Sequence, residues 1–372
     1  MADGATNTAP KTETAFGRGF LYDLWYFAAL GSQVRAGSLR RIEMLGEPVL
    51  LGRTRAGQAF ALKDICPHRA APLSAGKLVK MGSEGEAVEC PYHGWRFRAA
   101  DGACTSVPSL LDDQDLEVER IRVRSFPVRE SQGMIFVWFP SLSKGADPRA
   151  AATPDSEPPQ FPGVVGGGPK LVDRMDFDTH IDQAVVGLMD PTHGPYVHQQ
   201  WWWRSKSHQI EKSKRFEPRP LGFAMARHAP SKNSRAYAIL GGAPATEITF
   251  RLPGYRWEHI QVGARQVLAL TFLTPITASR TRITQIIWSD HPAFVLLAPF
   301  IRAGARAFLR QDGDMVNLQN EGLKYDPPLI WIDDADKQAK WYQALKREWT
   351  KSRAEGRDFV NPVEATTLRW RS

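Results

Sequence analysis

The sequence predicts an α+β chain: a small all-β domain, a linker, and a larger α+β domain in which helices pack on an antiparallel sheet. Three observations carry this. Residues 20–140 hold short apolar runs broken by turn signals, residues 143–169 are rich in Pro, Gly and Ala with little apolar periodicity, and helical and strand-like periods follow. At 372 residues the chain is also long for a single core, so two domains are its natural division.

In the first part, "EPVLLGRT" (47–54), "AFALKD" (59–64), "AVEC" (87–90), "WRFRAADGAC" (95–104), "VRSFPVRE" (123–130) and "GMIFVWF" (133–139) read as strands. The "ADG" at 100–102 and "SQG" at 131–133 fit hairpin turns. An all-β domain is therefore assigned to 17–142, behind a polar, mobile tail at 1–16. Residues 143–169 form a linker or long surface loop; their "GVVGGG" lacks the strand–turn–helix setting of a dinucleotide fingerprint. The second domain spans 170–372. It opens with a helix around 178–190, where Ile181, Val185, Leu188 and Met189 share one stripe. Strands follow at "AYAIL" (236–240), "EITFRL" (247–252), "RQVLALTFLTPI" (265–276) and "RTRITQIIWSD" (280–290), then helices at about 293–323 and 335–354. No internal repeat is present.

Hydrophobic residues at 42% and charged residues at 24% are those of an ordinary globular chain. The net charge of +8 is scattered, its densest cluster being "RSKSHQIEKSKR" (204–215), and no nucleic-acid motif accompanies it. The charge is read as serving solubility or an acidic protein partner. The most apolar window, "FVLLAPFIRAGARAFL" (294–309), is too short to span a bilayer and carries Arg302 and Arg306, so a buried or amphipathic helix is expected. The N-terminal stretch lacks the apolar core of a secretory signal, and three cysteines suit a reducing compartment. The expectation is a cytoplasmic protein with no membrane and no nucleic-acid partner.

Two of those three cysteines stand beside histidines. "CPHR" gives Cys66-x-His68; after a 21-residue loop, "CPYHGW" gives Cys90-x-x-His93. Pro67 and Pro91 favour extended, turn-prone backbone at each cysteine, and Gly94 allows a tight turn. Two thiolates and two imidazoles can hold a tetrahedral zinc, or can divide over the two irons of a [2Fe–2S] cluster. Residue types alone leave both open. Cys104 fits no ligand position and is expected to be simply buried.

A second constellation lies in "GLMDPTHGPYVH": Asp190, His193 and His198. Residues five apart on a straight helix diverge by about 140°, too far to share a metal. Gly194 and Pro195 break the regular turn, which lets the two imidazoles converge. Two histidines and a carboxylate from elsewhere make the facial triad of non-haem iron(II).

"CPHR…CPYHGW" resembles the Rieske iron–sulfur motif, and D-x-x-H-x₄-H about a hundred residues later resembles the catalytic motif of Rieske oxygenases. The resemblance covers residues from about 20 to 325, and is nearest to the vanillate- and dicamba-demethylase branch. It implies an all-β Rieske domain followed by a helix-grip catalytic domain. It implies that Cys66 and Cys90 bind one iron of a [2Fe–2S] cluster, that His68 and His93 bind the other, and that Trp95 shields them. His193, His198 and an acid in "FLRQDGDMVNLQNEG" (308–322) then hold a mononuclear Fe(II). Asp312, between Gln311 and Gln319, is the expected acid and Asp314 the alternative. Asp190 is expected outside the metal shell, orienting His193 with its carboxylate and meeting His93 of a neighbouring subunit in a homotrimer. Partners implied are a ferredoxin and/or an NAD(P)H-dependent reductase, a small aromatic substrate and O₂. The implied reaction is a hydroxylation ending in N- or O-dealkylation, with ring dihydroxylation the alternative. A Rieske electron carrier would need only the first constellation, and a zinc-stabilised binding module would need no iron.

Two departures stand out. The loop between the cysteine pairs is a few residues longer than is usual in the family. Gly187 occupies the position, three residues before Asp190, where many members carry Asn. The "WWW" at 201–203 is read as core or interface packing, with an aromatic substrate wall as the alternative.

Overall fold

The computed structural model describes residues 16–372 apart from 112, 142–151, 165, 167, 199–208, 232–236 and 238–239. The first part of the chain builds β1 (Leu24–Leu30), β2 (Leu39–Met44), β3 (Glu47–Arg53), β4 (Ala59–Lys63), β5 (Lys77–Lys80), β6 (Glu86–Glu89), β7 (Arg96–Arg98), β8 (Cys104–Ser106), β9 (Ser125–Phe126), β10 (Val128–Ser131) and β11 (Met134–Phe139). Among the described residues these make three antiparallel sheets, ordered β1-β11-β10, β2-β3-β4-β9 and β5-β6-β7-β8. The expected turn at 131–133 closes β10 on β11 through Gln132 and Gly133, both at positive φ. In this first part three strands, β1, β2 and β5, have no counterpart in the sequence reading. In β1 the run Leu-Trp-Tyr-Phe-Ala-Ala-Leu is covered on both faces, so the alternation that betrays a half-buried strand is missing.

The second part contains β12 (Leu171–Phe177), α1 (Ile181–Met189), α2 (Gly194–Val197), β13 (Glu211–Arg219), β14 (Gly222–His228), β15 (Ala245–Arg251), β16 (Tyr255–Val262), β17 (Arg265–Thr277), β18 (Arg280–Ser289), α3 (Pro292–Leu296), α4 (Ala298–Leu323), α5 (Lys337–Glu355) and β19 (Thr366–Arg371). Its strands form one antiparallel sheet, β12-β18-β17-β16-β15-β14-β13-β19. The strand expected at 236–240 falls largely outside the described residues, and Tyr237 and Leu240 are not in a strand.

One face of this sheet is gripped by helices. Phe216, Phe223 and Phe250 meet Trp341 and Tyr342 of α5, and Ile181 and Val185 of α1 share that core with Leu273 and Ile283. The stripe read for α1 is the buried one, with Ile181, Val185 and Met189 inside and Leu188 packed against them. The opposite face is covered by the β1-β11-β10 sheet: Phe27 stacks on Phe272 at 4.1 Å, and the Tyr255 hydroxyl donates to the main-chain oxygen of Trp25. Phe161, in the stretch read as a surface loop, is buried edge-on to Tyr255, Trp257 and Phe272. Its main chain exchanges two hydrogen bonds of 2.9 Å with the Gln132 side chain.

The start of α1 is pinned by a buried polar knot. Asp182, fully buried, accepts from Tyr342 Oη and Lys346 Nζ, both at 2.6 Å, and from the Gly17 main-chain N–H at 2.7 Å. Burial acts to raise its pKa, but the His180 hydrogen bond and the Lys346 charge outweigh that and hold it below the usual carboxylate range.

Candidate metal centres

Cys66 and Cys90 head two loops built on one plan. Ala70 N–H donates to Cys66 O and Gly94 N–H to Cys90 O, while each cysteine N–H donates to the carbonyl five residues on, Ala71 and Trp95. Both turns need a residue at positive φ, Ala70 at 58° and Gly94 at 73°. At Gly94 a Cβ would also press on Pro108 at 3.2 Å. Asp64 anchors the first loop: fully buried, it accepts from the Ser74 N–H and hydroxyl at 2.7 and 2.6 Å and pairs with Arg41 at 3.0 Å.

At the loop tips the rings of His68 and His93 lie 4.5 Å apart, and Trp95 stacks flat on His68 at 4.7 Å. Trp95 therefore covers one imidazole, as the resemblance implies, and His93 is exposed beside exposed Tyr92. All three cysteines are buried and free, Cys104 among them. Burial, opposed by the His68 main-chain N–H, and contact with Cys90 push the Cys66 thiol up to about 11. His68 Nδ1 is buried with no hydrogen-bond partner. A buried ring nitrogen left bare beside two adjacent thiols fits a metal cluster, because a bound cation supplies the missing partner and removes the thiol protons.

The second site forms where α1 ends. Asp190 N–H still bonds to Val186 O, then Asp190 turns the chain by accepting from the Thr192 N–H at 2.7 Å and hydroxyl at 2.6 Å. The short α2 follows, with Pro195 in its first turn, and separates His193 from His198. Their Nε2 atoms lie 3.2 Å apart. Asp312 of α4 closes the group, its Oδ1 3.2 Å from His198 Nε2 and 3.7 Å from His193 Nε2. The three candidate ligand atoms thus lie within 4.8 Å of one another. Asp314 is exposed on the other side of α4, and Gln319, two turns on from Asp312, is exposed as well.

The two imidazoles are held by different means. His193 Nδ1 lies 2.9 Å from the main-chain oxygen of Asp190, and His198 Nδ1 lies 3.0 Å from Gln311 Oε1. Each Nδ1 proton has an acceptor, so both Nε2 lone pairs face the same point as Asp312; that donor set fits a mononuclear iron. The Asp190 carboxylate does less than expected for His193, standing 3.7 Å from Nδ1 while the carbonyl makes the hydrogen bond. Gln311 and Phe308, whose ring lies 4.2 Å from that of His198, escaped the sequence reading as partners. Only their position beside Asp312 could have marked them. Trp201, Trp202 and Trp203 lie outside the described residues.

One domain with a cysteine–histidine loop pair, and a second with two histidines and a carboxylate converging, define a protein of two iron centres. A profile of the Rieske [2Fe-2S] domain matches residues 24–127, and one of the vanillate O-demethylase oxygenase C-terminal domain matches 177–349. The chain belongs to the Rieske non-haem iron oxygenases, whose cofactors are a [2Fe–2S] cluster and a mononuclear iron.

Among similar proteins, the oxygenase component of chloroacetanilide N-alkylformylase from Rhizorhabdus wittichii is 33% identical over 48% of this chain and 47% of its own length. The 4beta-methylsterol monooxygenase of Methylococcus capsulatus is 32% identical over 47% of this chain and 44% of its own. The chain thus spans about half the length of these curated relatives. The fold is that of dicamba monooxygenase bound to dicamba, with a TM-score of 0.69 at 22% identity, over 91% of this chain and 100% of that one. No helix among the described residues is long and apolar enough to cross a membrane.

Proposed function

We propose that the chain is the terminal oxygenase of a multicomponent system that hydroxylates an aromatic substrate with O₂, most simply an N- or O-dealkylation. The convergence of His193, His198 and Asp312 carries this reading, since a Rieske electron carrier has no use for it. When bound, the cluster supplies one-electron transfer and the mononuclear iron supplies activation of O₂. Cys66 and Cys90 would hold one cluster iron, His68 and His93 the other. The Nε2 atoms of His193 and His198 and the carboxylate of Asp312 would hold the mononuclear iron. Hydroxylation of a carbon attached to oxygen or nitrogen leaves a hemiacetal-type product that loses an aldehyde, which is dealkylation.

In this reading the electrons come from a ferredoxin and/or an NAD(P)H-dependent reductase. The working unit is a homotrimer in a reducing, cytoplasmic compartment, in which Asp190 meets His93 of the partner subunit. Exposure of His93 and partial exposure of Asp190 support a contact of this kind. The test is iron and sulfide analysis together with O₂ uptake on a panel of methoxylated and N-methylated aromatics. The expected result is about three irons and two sulfides per chain, and formaldehyde released with O₂ consumed. About two irons, with no O₂ uptake from the reduced protein, would make it an electron carrier instead.

A further inference from the structure

The helix-gripped face of the large sheet carries one row whose polar side chains lack partners, while Thr281, Ser289, Thr246 and Glu258 on the same face are hydrogen-bonded. Cross-strand register places Asp173 of β12 opposite Gln285 of β18, Gln285 opposite Thr271 of β17, and Thr271 opposite Arg256 of β16. The same-face rows on either side are Met175, Ile283 and Leu273, and Leu171, Ile287, Ala269 and Glu258, whose carboxylate accepts from Tyr237 Oη and Thr246 Oγ1. A face built for packing would continue apolar through this row. Among the described residues the side chains of Gln285, Thr271 and Arg256 have no hydrogen-bond or ion-pair partner, and Asp173 Oδ2 is buried without one. Asp173, Gln285 and Arg256 are nevertheless only half-buried, so the row borders open space.

The row is linked to α4, the helix that carries Asp312, through Met175. A Cβ on Gly313, next to Asp312, would stand 3.6 Å from Met175 Sδ. Asp173 is one same-face step, about 7 Å, along β12 from Met175. Three strand spacings carry the row from there to Arg256, about 14 Å away. A polar row that starts one step from the contact with the Asp312 helix and ends at an unpaired guanidinium has the dimensions and polarity of a receptor for a ring-sized molecule.

We propose that Arg256 is the specificity-determining residue for an acidic group at the far end of the substrate, and that the row holds the ring with its reacting end toward Asp312. The chemical class is an aromatic ring system carrying a carboxylate. A planar guanidinium recognises that group in two-point fashion, which no other side chain of the row can do. Thr271 and Gln285 offer hydrogen bonds to ring substituents between the two ends. This rests on the oxygenase reading for its reaction but not for its binding.

The experiment is calorimetric titration of the iron-loaded holoprotein with mono- and bicyclic aromatic carboxylates, each paired with its methyl ester. At least one acid should bind about tenfold to a hundredfold tighter than its ester. Arg256→Met should erase that preference while leaving ester affinity within about twofold, and Arg256→Lys should keep part of it. The proposal is overturned if no acid outbinds its ester in the wild type, which needs no variant to fold, or if the preference survives Arg256→Met. O₂ uptake, read separately on the same ligands, distinguishes the two readings. Acid preference without uptake would sink the oxygenase and keep the receptor, whereas uptake with esters favoured would sink the receptor alone.

Discussion

His193 and His198 are held by acceptors of different kinds, and only one of them can be removed by substitution. The acceptor for His193 is a main-chain carbonyl, but that for His198 is the Gln311 side chain at 3.0 Å. Gln311→Leu deletes it at nearly constant size. His198 is 5% exposed, so no water is at hand to take over. A buried N–H left unmade costs about 1–3 kcal/mol, and the ring can escape that cost only by rotating or changing tautomer, either of which spoils Nε2 as a ligand. Losing a partner of this type typically weakens metal binding about 10- to 100-fold, or about 1.4–2.8 kcal/mol, so the two arguments agree. The assay is anaerobic Fe(II) titration against a competing chelator, on protein whose cluster is intact. Gln311→Glu is the control, since a carboxylate accepts the same hydrogen bond and should hold iron at least as tightly as wild type. Affinity within twofold of wild type in Gln311→Leu, or an equal loss in Gln311→Glu, would refute the reasoning.

Asp190→Asn should leave iron content near normal, because the carbonyl that holds His193 survives, while reoxidation of the reduced cluster by O₂ and substrate slows at least tenfold in rapid-mixing spectra; an unchanged rate would remove Asp190 from the electron path. Cys66→Ser and Cys90→Ser should each abolish the visible absorption and the Rieske EPR signal, since hydroxyl oxygen is a poor ligand for so soft a site. Lys346→Met removes the cation paired with the buried Asp182 carboxylate, which keeps its Tyr342 and Gly17 donors, at a cost of about 3–5 kcal/mol. For a chain of 372 residues melting as one unit that lowers Tm by about 4–6 °C in a thermal scan. Because Asp182 is depressed in the fold, its contribution is complete above the unfolded carboxylate value of about 3.9 and is lost as pH falls through its lower folded value. Asp182→Asn should therefore flatten the stability curve below about pH 4, measured by urea unfolding across pH.

Legibility in the sequence followed chemistry more than geometry. Cys66, His68, Cys90, His93, His193 and His198 stood out as candidates because few residue types bind iron and their spacings are short. Asp312 could be separated from Asp314 only once α4 was placed, with Asp312 turned to the histidines and Asp314 to solvent. What holds the ligands in place was less readable. One acceptor is a main-chain carbonyl, which every residue possesses, and the other is a glutamine like any other on a helix. The left-handed turn at Ala70 was hidden for a related reason: Gly94 announces its conformation and alanine does not. Strand β1 was obscured because it is buried on both faces, and Phe161 because composition speaks of a segment's average and not of one aromatic within it.

The boundary between the two domains is likewise not where the connecting segment places it. The β1-β11-β10 sheet belongs to the N-terminal part by sequence, yet Trp25, Phe27, Phe136 and Trp138 share one buried core with Tyr255, Trp257, Phe272 and Trp288. Such an aromatic core holds the catalytic sheet and this half of the Rieske region together as one unit. The cluster end is different. Cys66, Cys90 and Cys104 sit in a separate core with Leu50, Leu73, Phe97 and Val123, none of which belongs to the shared one. Loss of the cluster should therefore loosen the loops and that small core and leave the wall shared with the catalytic sheet packed. The physical joint of the molecule runs inside the Rieske region, between the β5-β6-β7-β8 sheet that carries the cluster loops and the strands packed on the oxygenase domain, β3 and β4 among them through Val49, Leu51 and Ala61.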